Sequence, residues 1–136
     1  MKLLLIGLLT ISGMSFAQQK KEDAILGEWL TASKDGKVQI YKQGDAYFGK
    51  ITGGTKETKT DTKNPEPSLR NRDLLGLIIL KDFHYNNKGK WEDGTIYDPN
   101  NGKTYSCIIG MKDNHKLEVR GYVGISLFGR TEEWTR

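Results

Sequence analysis

The chain has 136 residues, 36% hydrophobic and 28% charged, which is enough for one domain with a single core. Its formal net charge of +4 is a small excess with basic and acidic residues interleaved, and this excludes the basic stripe typical of nucleic-acid-binding proteins. Because Cys107 is the only cysteine, no disulfide can form within the chain, and the core must hold the fold without covalent links.

The first segment, residues 1–17, has the pattern of a secretory signal peptide. Lys2 gives a positive start, a short apolar run follows, and Ser15 and Ala17 put small residues where a signal peptidase reads them. The run is shorter than the about 20 apolar residues of a membrane-spanning helix. We expect cleavage after Ala17 and a periplasmic or secreted protein that begins at Gln18, without a lipid anchor; the alternative is a buried N-terminal strand or helix.

The rest of the chain has the alternation typical of β-strands. Residues 18–24 are polar and predict a loose leader. From residue 25 to residue 136, short runs are separated by turn residues, and Val38 and Ile40 share one face of such a run. Asp35-Gly36 supplies the positive φ of a hairpin turn. The predicted strands cover residues 25–32, 37–42, 46–52, 74–83, 90–97, 103–111, 116–122 and 127–135.

Strands linked mostly by short hairpins favour a single all-β domain over residues 25–136. An open sheet of this length would expose two edges, and closing the sheet into a barrel removes them. The sequence therefore predicts an eight-stranded antiparallel up-and-down β-barrel. Charged residues on the strands, such as Glu92 and Arg120, leave no apolar band to face lipid, so no membrane insertion is expected.

A long polar connection, residues 53–73, interrupts the series of hairpins. Connections of this length in compact domains are usually functional, locally structured or disordered, and this one is a candidate lid over the barrel. The run from Leu74 to Phe83 that follows has continuous rather than alternating apolar residues. This pattern predicts a strand that is covered on both faces.

The first predicted strand carries Gly27-Glu28-Trp29, which resembles the Gly-x-Trp signature of lipocalins and related calycin barrels. The resemblance implies that Trp29 closes one end of a calycin-like barrel and that an arginine from the end of the chain packs over the ring. Arg130 and Arg136 are the two candidates for this cation–π contact. The alternative is a core tryptophan without such a partner.

An ordered set of motifs along nearly the whole chain is similar to a family of exported bacterial proteins catalogued as a domain of unknown function (number 2147). The resemblance implies a calycin-like barrel in the cell envelope and brings no established activity, cofactor or catalytic residue. The motifs are Gly27-x-Trp29, Asp61-x-x-Asn64-Pro65, Leu75-Gly76, Gly94-x-Ile96-Tyr97-Asp98-Pro99, Gly102-Lys103-x-Tyr105, Arg120-Gly121-Tyr122, Phe128-Gly129-Arg130 and Trp134-x-Arg136.

The sequence does not support a metal or a cofactor. His84 and His115 are the only histidines, and neither stands at ligand spacing from Cys107. The loops 61–66 and 98–102 contain oxygen ligands for calcium, but too few of them. Capping of the backbone by Asx turns explains Asp98 and Asn100 more simply.

No catalytic set stands out either. Ser106, His84 and Asp82 can be assembled into a triad only on paper, because nothing in their spacing requires it. Glu132 and Glu133 are neighbours on a strand, so they point to opposite faces and cannot act on one substrate. An enzyme is therefore the last-ranked hypothesis, which the sequence leaves open.

Basic and aromatic residues near the end of the chain are the best candidates for a ligand site. Arg120 and Tyr122 share one face of a strand, and Phe128, Arg130 and Trp134 share one face of the next strand. At the barrel mouth they could hold an anionic or amphipathic ligand. The alternative is that the arginines only close the barrel end over the aromatic rings. The candidate ligand-binding residues are Trp29, Arg120, Tyr122, Phe128, Arg130 and Trp134.

The leading functional hypothesis is therefore a protein that binds a small apolar or amphipathic molecule in the barrel. The alternative is a non-enzymatic structural or protein-interaction module of the cell envelope with a filled barrel. The sequence leaves the ligand, the protein partner and the oligomeric state open.

Overall fold

The structure, a computed structural model, describes residues 20–54, 60–125 and 128–136. Each of eight antiparallel strands pairs with its neighbour in sequence, and the last strand pairs with the first. This closed up-and-down barrel confirms the predicted fold class. The expected signal peptide, residues 1–17, lies outside the described residues. The strands are β1 (Gly27–Leu30), β2 (Lys37–Gln43), β3 (Ala46–Gly53), β4 (Ile78–Tyr85), β5 (Lys90–Asp98), β6 (Lys103–Asp113), β7 (Lys116–Tyr122) and β8 (Gly129–Thr135).

The connections define two ends of the barrel. The loops after β1, β3, β5 and β7 lie at one end, called here the open end. The turns after β2, β4 and β6 lie at the other end, called the closed end, where β1 begins and β8 finishes. Along each strand, residues alternate between the inner and the outer face of the barrel. Trp29, Val38 and Ile51 are buried and in register across β1, β2 and β3, so they mark the inner face.

Residues 20–24 cover the closed end. Lys21–Asp23 forms a 3-10 helix. Trp91 Nε1 donates a hydrogen bond of 3.0 Å to the Glu22 carbonyl oxygen, and the Tyr47 hydroxyl donates one of 2.7 Å to Asp23 Oδ1. Residues 20–24, predicted to belong to a loose leader, are therefore fixed to the barrel. None of the helices in the described part of the chain is long and apolar enough to cross a membrane.

The apolar run at 74–83 is only partly a strand. Leu75 is 61% exposed and Gly76 has a φ of +85°, so the chain turns before β4 begins at Ile78. Within β4, the successive residues Ile79 and Leu80 are both buried. Leu80 faces the interior, whereas Ile79 is covered by the connection between β3 and β4. The predicted coverage on both faces is confirmed at these two positions.

Large side chains fill the interior because glycines make room for them. Trp29, Tyr47, Phe83 and Trp91 are each at most 2% exposed. Opposite Phe83, a Cβ added at Gly94 would lie only 2.5 Å from the ring. This distance is far inside van der Waals contact, so the position accepts no side chain unless the buried ring moves.

We expect Gly94→Ala to lower the free energy of unfolding by about 1–3 kcal/mol, because the new methyl group overpacks the core against Phe83. Urea denaturation would measure the loss. Gly121→Ala is the matched control, since its Cβ would lie an ordinary 3.5 Å from the nearest side-chain atom, and we expect it to stay within about 0.5 kcal/mol. Equal losses for the two variants would contradict the explanation.

Candidate functional site

The tryptophans of the predicted ligand site lie in the core. Trp29 is fully buried, and Arg136 packs over it with Cζ 4.1 Å from the ring centre. Of the two arginines proposed for this contact, Arg136 makes it and Arg130 does not. Trp134 is 2% exposed, and among the described residues its indole Nε1 has no hydrogen-bond partner.

The other candidate residues lie on β7 and β8, on two different faces. Arg120 is in register with Thr131, and its Nη1 donates to the Thr131 hydroxyl at 2.9 Å, so it lies on the outer face. Tyr122, two residues later, shares that face. Arg130 follows the inner-face periodicity of Trp134, but its side chain is 85% exposed at the open end.

Phe128 also lies at the open end, 73% exposed, in the connection between β7 and β8. The structure thus places the predicted ligand-binding residues in the core, on the outer wall and at the open end. It does not bring them together into one site.

A buried carboxylate that was not among the predicted site residues organises the connection between β3 and β4. Asp61 is fully buried. The Tyr97 hydroxyl donates a hydrogen bond of 2.5 Å to its Oδ1. Asn64 Nδ2 and Arg72 Nε donate to its Oδ2 at 2.8 and 2.9 Å. Two donors from the same connection and one from β5 therefore converge on one carboxylate.

These contacts shift the pKa of both acidic groups in the network. Burial alone would raise the pKa of Asp61, but the hydrogen bonds from Tyr97, Asn64 and Arg72 outweigh it and hold the pKa below its ordinary value of 3.8. Burial, together with the hydrogen bond to Asp61 and its charge, raises the pKa of Tyr97 to about 12. The stable state at neutral pH is an ionised Asp61 beside a neutral Tyr97.

The network fastens the connection to the outer wall of the barrel. Tyr97 is in register with Thr104 on the face opposite to that of the inward-facing Leu80 and Ile96. At Gly102, with φ of +72°, an added Cβ would lie 1.9 Å from the Lys63 carbonyl oxygen, so only glycine permits this approach. The described part of the candidate lid, residues 60–73, is thus attached beside the barrel mouth.

A cleft of about 250 Å³ lies between this connection and the outer faces of β4, β5 and β6. Arg72 lines it, and none of the described residues bonds its terminal Nη atoms. Lys81 lines it too and has no ion pair within the described ranges. The cleft therefore combines two cationic groups with apolar surface. Its lining residues are Asn64, Pro65, Arg72, Ile78, Ile79, Lys81, Thr95, Tyr97, Gly102 and Thr104.

The oxygen-rich loops do not form a metal site. Both Asp61 oxygens accept hydrogen bonds from protein donors. Asp98 Oδ1 accepts from the Asn100 backbone N–H at 2.9 Å, as the Asx-turn interpretation predicts. Among residues 20–54, 60–125 and 128–136, no group of three or more His, Cys, Asp or Glu residues could hold a metal ion.

Comparison with known proteins gives a family and a fold. The family model described as "Uncharacterized protein conserved in bacteria (DUF2147)" matches residues 27–136. A solved structure, "Protein HP1028 from the human pathogen Helicobacter pylori belongs to the lipocalin family", is similar with a TM-score of 0.75 and 24% identity, over 82% of each chain. At this identity the likeness shows a lipocalin-like fold. The search of curated proteins found no match.

Proposed function

The chain belongs to the bacterial family that matches residues 27–136, and we propose that it is a lipocalin-like module that binds a small amphipathic molecule with an anionic group. The observation that carries this proposal is the cleft beside the Asp61 network. Its volume of about 250 Å³ suits a ligand smaller than a typical drug molecule.

The charges in and below the cleft favour an anion. Asp61 binds Arg72 through Nε, and the terminal Nη atoms have no hydrogen-bond partner among the described residues, so they can donate to an anion in the cleft that Arg72 lines. The buried carboxylate balances one of the two cations, so Lys81 leaves a net positive charge. Ile78 and Ile79 supply apolar surface for the other part of the ligand.

The proposed site lies on the outer wall, whereas the hypothesis from the sequence was a ligand in the barrel interior. Supporting this change, the inner face carries packed aromatic side chains. One observation favours an interior site. Within residues 20–54, 60–125 and 128–136 the buried Trp134 Nε1 has no hydrogen-bond partner, and such a donor costs about 1–3 kcal/mol unless a water or ligand accepts from it. Binding followed by NMR distinguishes the two locations.

We also propose that the protein acts in the periplasm or outside the cell. The support is the signal-peptide pattern of residues 1–17. A ligand present in either compartment would reach the cleft directly, since the cleft opens on the outside of the barrel.

We expect hexanoate, which has both a carboxylate and an apolar tail, to bind more tightly than 1-hexanol or acetate. Lys81→Gln should weaken hexanoate binding by about three- to tenfold, because it removes one charge-assisted contact. Amide chemical shifts followed by NMR during titration give both the affinity and the location, and the expected shifts centre on Ile79, Thr95 and Tyr97.

Lys88→Gln is the control, since Lys88 lies in the turn at the closed end and is exposed. It should leave the affinity unchanged. Saturable shifts centred on the Trp134 indole N–H would place the ligand inside the barrel instead. Titrations without saturable shifts for any of the three compounds would rule out this class of ligand.

The filled core favours a second function, a protein-interaction module. Trp29, Tyr47, Phe83 and Trp91 occupy the interior that a carrier would leave for its ligand. In that case the surface that binds a protein partner would be a strand edge or an outer face of the barrel.

A further inference from the structure

The barrel is closed along only a short part of the seam between its first and last strands. β7 pairs with β8 along the whole of Gly129–Thr135. β1, in contrast, pairs with β8 at the single position Leu30↔Thr135, because the chain turns away after Leu30. Within the described residues, Gly129–Glu133 therefore has no strand on the side that faces away from β7.

This free edge is accessible and carries opposite charges. Gly129, Arg130, Thr131 and Glu133 are exposed. Arg130 and Glu132 lie on the same face, two residues apart, and their side chains are 85% and 39% exposed. They form an ion pair of 3.2 Å within the chain, which is worth little because both groups meet solvent.

We propose that the free edges of two copies of this chain pair antiparallel about Thr131 and form a two-fold symmetric dimer. Exposed backbone donors and acceptors make an unpaired strand a template for another strand. A two-fold axis uses the same surface on both copies, so the surface must complement itself.

The charge pattern fits this register and opposes its neighbours. With the axis at Thr131, the whole free segment overlaps, and Arg130 of each copy lies opposite Glu132 of the other. Directly paired residues must point to the same face of the sheet, so the two-fold axis must pass through a residue and not between two residues. The alternative registers therefore have the axis at a neighbouring residue. A shift to Arg130 places arginine against arginine, and a shift to Glu132 places glutamate against glutamate, which is unfavourable for directly opposed residues.

The same pairing reduces the exposure of an apolar side chain. Phe128 comes directly before the free segment and is 73% exposed. In the dimer it lies opposite Trp134 of the second copy, at the point where β1 leaves β8. The proposal extends the interaction-module function and does not depend on ligand binding in the cleft.

Sedimentation velocity over micromolar to millimolar concentrations should show a monomer–dimer equilibrium. Arg130→Glu and Glu132→Arg should each raise the dissociation constant by about tenfold or more, because each replaces attraction with repulsion at both symmetric positions. The double variant exchanges the charges and should restore the dimer. Lys88→Glu, in the turn at the closed end, is the matched control and should leave the equilibrium unchanged.

Cross-linking tests the register independently. Thr131→Cys should form a disulfide-linked dimer under mild oxidation, because the axis brings the two side chains together, whereas Gln39→Cys on the outer face of β2 should not. Cys107 is fully buried and does not compete. A monomer at every concentration, or a dimer that the single charge reversals leave unchanged, overturns the proposal. Thermal unfolding of each variant confirms that the barrel is folded.

Discussion

Replacing Asp61 with alanine is expected to lower the free energy of unfolding by about 2–4 kcal/mol. Asp61 is fully buried and accepts hydrogen bonds from Tyr97, Asn64 and Arg72. Its removal leaves the first two donors without their acceptor. The loss of the acceptor costs less free energy at Arg72, because this side chain is 37% exposed and can bond to water instead. Urea denaturation at neutral pH would measure the loss.

Two further variants sharpen this test. Asp61→Asn keeps the shape and one acceptor oxygen. Its free energy of unfolding should therefore lie between that of the wild type and that of Asp61→Ala. Asp45→Ala removes a carboxylate in the exposed turn between β2 and β3, and we expect a change within about 0.5 kcal/mol. If Asp61→Ala were as stable as Asp45→Ala, the network would contribute nothing to the fold.

The same network predicts how stability depends on pH. Because the folded pKa of Asp61 lies below 3.8, its contribution is fully present above the unfolded pKa and is lost as the pH falls through the folded pKa. Tyr97 behaves in the opposite sense. Its folded pKa is about 12, so its contribution is present below the ordinary value of 10.0 and is lost as the pH rises towards 12.

Urea denaturation over both pH ranges would test this dependence. In Asp61→Ala, the free energy of unfolding should decrease less as the pH falls, because the titrating carboxylate is gone. It should also decrease less as the pH rises towards 12, because the Asp61 charge helps to raise the pKa of Tyr97. An unchanged basic side would show that burial alone sets the pKa of Tyr97.

Replacing Trp29 with alanine is expected to lower the free energy of unfolding by about 3–5 kcal/mol, the range for deleting a buried aromatic ring. The ring is fully buried at the closed end, and its Nε1 donates to the Ile25 carbonyl oxygen at 2.9 Å. The substitution removes both the packing and the surface under Arg136. Thermal and urea unfolding would measure the effect.

The arginines provide a matched pair for this experiment. Arg136 donates to the carbonyl oxygens of Ala24 and Leu26 at 3.1 and 3.0 Å, whereas the Arg130 side chain forms an ion pair with Glu132 and no other polar contact among the described residues. We expect Arg136→Ala to cost about 1–2 kcal/mol and Arg130→Ala less than about 0.5 kcal/mol in the monomer. Equal effects would show that the cation–π contact and its hydrogen bonds do not stabilise the closed end.

The barrel could be predicted because its signals are local. Val38 and Ile40 alternate with polar neighbours, and the turn residues before Lys37 follow the first strand, so a short window contains both the strand and the turn. The positive φ of this turn lies at Lys34, however, and not at Asp35-Gly36 as predicted. The beginning of β4 could not be predicted in the same way. A continuous apolar run fits a strand or a buried loop equally well, and the turn at Gly76 depends on its bond to the Ile51 carbonyl oxygen on another strand.

The candidate site depends on contacts between distant residues. Tyr97 and Asp61 are 36 positions apart, and neither strand alternation nor turn chemistry relates them. Both residues belong to motifs that resemble the family, but the motifs do not show that the two side chains meet. An acidic residue in a polar loop is normally exposed to solvent. The choice between Arg130 and Arg136 also needed the structure, because both follow the alternation of β8 and only one reaches the ring.

The seam between β1 and β8 also bears on how the barrel folds. Arg136 binds the Ala24 carbonyl oxygen across a separation of 112 residues, so closing the ring joins the two most distant parts of the domain. Such contacts bring the largest loop-closure entropy and slow the search for the native state. The hairpins can form early and locally, but in a partly folded intermediate β1 and β8 are both unpaired along their whole outer edges until the seam forms. Seam formation is therefore the step at which folding competes with aggregation.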